Sequence, residues 1–68
     1  MAYDFTKIEL DYINKYANFN ERQQEVFDRL TDKKGRQFIV KMSMEMHLSE
    51  RTISRIIKEV KKKIYKIL

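Results

Sequence analysis

Five cations recur along the last third of this 68-residue chain: Arg51, Arg55, Lys58, Lys62 and Lys66. They step by four, three, four and four, so on a helix turning about 100° per residue they share one face. A row of fixed positive charge attracts a polyanion. The charge is also local. Residues 1–34 carry six Lys/Arg against seven Asp/Glu, whereas residues 35–68 carry nine against three. The net charge of +5 therefore belongs to the second half. The bland alternative is a solvated helix face that keeps the chain soluble.

A second group with reactive side chains is Met42-Ser43-Met44-Glu45-Met46-His47. Thioethers and imidazole together suit Cu(I). Helical spacing argues against a site, because Met42 and Met46 share a face while Met44 points away from it. Core methionines are the expected reading, and no metal or other cofactor is expected. Nor is catalysis: there is no cysteine, one histidine, no phosphate-binding glycine loop, and the acids are scattered.

The elements that must hold these residues read as helices. The chain has no proline and one glycine, with 43% hydrophobic and 37% charged residues, a globular mixture. At this length one domain is expected, spanning residues 1–68, all-α, with four helices. The first covers residues 4–17, with Phe5, Ile8, Tyr12 and Tyr16 on one face and Ile13 beside them. The second covers residues 21–31. Asn20 is its N-cap, Gln23 stands at the capping-box position, and Val26, Phe27 and Leu30 form its apolar face. Gly35 then supplies an easy positive φ after the helix end.

The third helix covers residues 36–46, with Phe38, Ile39, Met42 and Met46 facing the core. Val40 and Met44 lie on its other side, where they are expected to pack on the first helix or else to form a small apolar patch. The fourth covers residues 50–68, capped by Ser49, with Glu50 at the positive end of its dipole. Ile53, Ile57, Val60, Ile64 and Ile67 form a narrow apolar stripe, widened by Ile56 and Leu68, opposite the cations.

Only His47-Leu48-Ser49 separates the last two helices. So short a link forces a steep crossing, the geometry of a helix-turn-helix over residues 36–68. The positions fit: Ser43 is small where the helices approach, Leu48 is an apolar plug, Ser49 is a cap, and Ile53 points inward. Met42 through Ile53, ending in Leu48-Ser49-Glu50-Arg51-Thr52-Ile53, resembles the helix-turn-helix of sigma-factor region 4 and of LuxR-type output domains. Phe19-Asn20-Glu21-Arg22-Gln23-Gln24-Glu25-Val26 resembles the start of the supporting helix in those families. The resemblance spans residues 19–68, and the chain looks most like the small phage and mobile-element regulators that carry this module. Two features depart from the pattern. His47 stands where glycine is usual, and the loop before the third helix is about three residues longer than in the LuxR type. A left-handed conformation is expected at His47.

The resemblance implies double-stranded DNA as partner, transcription regulation as role, and no enzymatic activity. It places Ser54, Arg55 and Lys58 toward the groove, with Arg51 and Thr52 at the phosphate backbone near the helix start. Arg55 is the expected base reader, since its guanidinium can pair bidentately with a guanine edge. Arg51, Thr52, Lys58 and Lys62 would set register through phosphates. Arg36 is a candidate backbone clamp. Two further expectations concern partners: a homodimer through Ile64, Ile67 and Leu68 of the last helix, and, as the alternative function, docking on RNA polymerase or another regulator. No membrane span is expected, because no run of about 18 apolar residues occurs. The opening Met1-Ala2-Tyr3-Asp4 has neither a basic nor an apolar leader region, so a cytoplasmic location is expected.

Overall fold

The computed structural model describes residues 3–68, which form four α-helices and no strand. They are α1 (Lys7–Tyr16), α2 (Glu21–Thr31), α3 (Ile39–Met46) and α4 (Glu50–Ile67). The other three all pack on α4.

α1 starts three residues later than its apolar spacing suggests. Thr6 is extended, and its hydroxyl accepts from Glu9 N at 3.2 Å while Glu9 Oε1 accepts from Thr6 N at 2.9 Å. This capping box satisfies two otherwise orphaned amides and fixes the first turn. Phe5 is thereby left outside the helix and packs instead beside Phe27, ring centroids 6.2 Å apart. With Phe5 removed from the helical face, α1 turns Leu10, Ile13 and Ala17 inward. The expected face of Ile8, Tyr12 and Tyr16 points out, with Ile8 82% exposed. The two tyrosines cover each other instead, 4.7 Å apart.

α2 matches its sequence signals. Asn20 Oδ1 accepts from Gln23 N at 2.8 Å, Gln23 Oε1 accepts from Asn20 N at 3.1 Å, and Val26, Phe27 and Leu30 are buried. The helix stops without glycine's help. Gly35 has no positive φ, contrary to expectation; Asp32 turns extended, and its carboxylate accepts from Lys34 N at 2.9 Å.

Residues 36–38 are not helical. Gln37 N donates to Arg29 O at 3.0 Å, which ties the link back to α2 and delays α3 to Ile39. Phe38 becomes the extended N-cap residue and is 63% exposed, not a core residue. Ile39 and Met46 are half-buried, and Met42 is fully buried. Val40 and Met44 do not pack on α1; Met44 is 70% exposed.

α4 is the spine. Ile53, Ile56, Val60 and Ile64 are buried, and Ile57 and Ile67 pack partly against them. Burying each such side chain contributes about 1.5–3 kcal/mol. The expected dimer stripe is therefore not free. Ile64 is fully buried within the chain's own core and Ile67 half-buried, so of the three only Leu68 is exposed. No helix among the described residues is long and apolar enough to cross a membrane.

Candidate nucleic-acid interface

The joint between α3 and α4 sets where the cations point. α3 ends at Met46, and His47 adopts a left-handed conformation, φ 56° and ψ 42°. Its N–H and that of Leu48 both donate to Ser43 O, which closes the last turn of α3. Leu48 then packs against the core, and Ser49 is extended. Ser49 Oγ accepts from Thr52 N at 3.1 Å and starts α4. Three residues thus reverse the chain, plug the crossing and cap the next helix, as their types suggested.

Beyond that cap, Arg51, Thr52, Ser54, Arg55 and Lys58 line one concave strip. Lys62 and Lys66 continue its exposed face toward the C-terminal end of α4. Among the described residues Arg51, Lys58, Lys62 and Lys66 enter no salt bridge, while Arg55 Nε lies 4.0 Å from Glu59 Oε2. The N-terminal turn of α4 adds the positive end of a long helix dipole to this strip. Thr52 Oγ1 lies 2.9 Å from Ser49 Oγ, so the two hydroxyls share one hydrogen bond at the start of the strip. The strip is donor-rich and cationic, suited to phosphate oxygens and to the acceptor edge of a base.

No protein-family model, curated protein or solved structure matches this chain.

Arg36 lies elsewhere. It precedes α3, is partly buried, and bonds to Asp4 in the N-terminal segment. It lines a different concavity, with Asp4, Phe5, Thr6, Asp32 and Phe38. The reason is the non-helical link, which directs Arg36 toward the chain start and not along α3. Its guanidinium ties the segment before α1 to the link before α3.

Two polar assemblies tie the helices to one another, and neither was legible as such. In the first, Arg29 Nη1 donates to Gln37 Oε1 at 2.9 Å and to Glu45 Oε1 at 3.0 Å. Gln37 Nε2 also donates to Glu45, at 3.2 Å. The Arg29 hydrogen bond first, then that of Gln37, holds the Glu45 carboxyl below its ordinary value. This joins α2, the link and α3.

In the second, Gln23 is only 6% exposed. Its Nε2 donates to Glu59 Oε1 at 3.2 Å, and its Oε1 accepts from Lys63 Nζ at 2.6 Å. This joins α2 to α4. One signal pointed to it: Lys63 falls on the flank of α4's apolar stripe and not on the cationic face, about 60° from Val60.

Met42 is buried while Met44 projects outward, so the methionine run does not converge. Among the described residues no group of three or more His, Cys, Asp or Glu side chains is arranged to hold a metal.

Proposed function

We propose that this chain is a helix-turn-helix domain of the sigma region 4 and LuxR kind, and that it binds double-stranded DNA in a sequence-specific manner as a transcriptional regulator. α4 is its recognition helix. The observation that carries the reading is the concave strip of Arg51, Thr52, Ser54, Arg55 and Lys58 just beyond the capped start of α4. A helix end can enter the major groove, and exposed cations on its outer face meet phosphates on either side. Phosphate contacts position the helix, and Arg55 and Ser54 read base edges.

The test is selection from a random duplex library with the purified chain, followed by titration at several salt concentrations. An enriched motif is expected, with log affinity falling linearly against log salt by about 0.9 per phosphate contacted. Binding without an enriched motif would reduce the role to non-specific attachment. No binding would remove it.

One observation favours a second reading. Phe38, Val40 and Met44 form an exposed apolar patch around the start of α3, rimmed by Lys41. Such a patch suits a protein partner, as in docking on RNA polymerase or another regulator. An apolar contact there would lack the steep salt dependence.

A further inference from the structure

We infer that Glu59 is the residue that positions Arg55 for base reading, an inference that rests on the DNA-binding role proposed above. Arg55 extends from an exposed face of α4, and a free arginine in that position samples many rotamers. Glu59 sits one turn later, with one carboxylate oxygen, Oε2, 4.0 Å from Arg55 Nε. An ordinary surface pair of this spacing orders little. What differs here is the other oxygen. Glu59 Oε1 accepts from Gln23 Nε2 at 3.2 Å.

Gln23 is itself buried and bonded at both ends of its amide. Its Oε1 accepts from Asn20 N at 3.1 Å and from Lys63 Nζ at 2.6 Å, and its side chain is buried between α2 and α4. With that oxygen held by two donors, the amide nitrogen has one direction left, and it points to Glu59. The carboxylate is thus fixed from the core side and offers its outer oxygen to Arg55. At 4.0 Å the contact is an ion pair and not a hydrogen bond, and it draws the Nε edge of the guanidinium toward Glu59 with the two Nη groups outward. That end matches the paired O6 and N7 acceptors of guanine.

The arrangement has a second consequence. An acid beside a DNA-facing cation weakens attraction to any duplex, whatever its sequence. Glu59 therefore lowers non-specific binding while sharpening the reading of one base pair. A positioning role and a plain charge role differ in sign: losing the charge alone strengthens all binding equally, whereas losing the position costs discrimination at one base pair only.

The test has two arms. The first uses the free protein: ¹⁵N relaxation at Arg55 Nε, with Arg51 Nε as the reference. Arg55 should be the more ordered of the two, and in Glu59→Gln it should become as mobile as Arg51. Glutamine keeps the size and can still accept from Gln23, so the fold should persist. If the variant does not fold, the comparison within the native protein remains decisive. Equal mobility of Arg55 and Arg51 there overturns the inference, whatever the duplex results.

The second arm uses the selected duplex and its single-base variants. Glu59→Gln should lower discrimination at the Arg55-dependent base pair by about fivefold while binding random duplex at least as tightly. Unchanged discrimination overturns the inference even if Arg55→Ala abolishes it. If the native chain selects no motif, the DNA-reading role fails and this inference with it. The relaxation arm shows that case for what it is, because an ordered Arg55 without selectivity faults the role and not the geometry.

Discussion

Lys63 donates its ammonium to the backbone carbonyl of Asn18, 2.8 Å away and 45 residues earlier. Asn18 follows the end of α1 in a left-handed conformation, φ 56°. A cation beside that helix end offsets the negative pole of its dipole and occupies a carbonyl there. The same Nζ also meets Gln23, so one lysine on α4 fastens the link after α1 and the first turn of α2. Lys62, its neighbour, is exposed about 100° further round α4, on the cationic face. Two adjacent lysines, alike in sequence, therefore have separate roles.

That separation is measurable. Lys63→Met should cost about 1 kcal/mol of stability, since a half-buried charged donor leaves two acceptors behind. In a domain of this size the melting temperature then falls by about 4–8 °C. Lys62→Met should change stability by less than about 0.5 kcal/mol, yet weaken duplex binding and its salt dependence. Thermal melts and fluorescence anisotropy on the two variants decide it. Equal melting temperatures would remove the bracing role of Lys63.

The helices around this brace differ in how plainly they are written. α2 and α4 carry caps, periodic aliphatics and an abrupt turn, and all of these signals agree. α1 does not, because two signals compete. Its apolar spacing favours Ile8, Tyr12 and Tyr16, while the Thr6–Glu9 box and small Ala17 favour another face. The second set prevails because α1 touches the core along a narrow line, where a small residue allows close approach. The cationic face of α4 was legible from spacing, while Thr52 and Ser54 entered only through the resemblance. The polar braces were not: Gln23 reads locally as a cap, and nothing local shows that its far end meets α4.

The choice of face on α1 makes its own prediction. Ile8→Ala should leave stability within about 0.5 kcal/mol of native, because the side chain is solvated. Ile64→Ala, which empties a fully buried site, should cost about 2–4 kcal/mol. Urea titration of both variants checks this. A large loss in Ile8→Ala would mean that the outer face of α1 is covered in solution.

Glycine and histidine have exchanged their usual places. Gly35 has no positive φ, and a Cβ there would meet nothing within 4 Å. Gly35→Ala should therefore stabilise by about 0.4–1 kcal/mol, through the unfolded chain. His47 is the left-handed residue, and His47→Gly should gain about 1 kcal/mol by relieving the Cβ contact. Denaturant midpoints that move the other way would contradict the backbone geometry at these two sites.

Glu45 gives the fold an acid-sensitive joint. Its folded pKa is depressed by Arg29 and Gln37, so near that pKa the unfolded chain binds more protons than the folded one. Its contribution is complete above the ordinary glutamate range and is lost as pH falls through the lower folded value. Glu45→Gln should be less stable than native at pH 7, and the two should converge as the pH drops well below 4.5, the ordinary value for this group. Paired urea titrations across that range test the sign. A gap that widens toward low pH would show that Glu45 acts otherwise.

The cationic strip yields the sharpest contrast, between Arg55 and Arg51. Both are exposed arginines one turn apart on α4, and the proposed roles differ. Arg55 reads a base edge, so Arg55→Ala should cost about 1–3 kcal/mol on the selected duplex and relax preference at one base pair. Arg51 contacts phosphate near the helix start, so Arg51→Ala should weaken every duplex alike and lower the salt slope by about one. Both variants should melt like the native chain, because neither side chain is buried. Competition binding against single-base variants separates the two effects. If Arg51→Ala changes base preference and Arg55→Ala does not, α4 sits in the groove in a different register, shifted by about one turn toward its N-terminus.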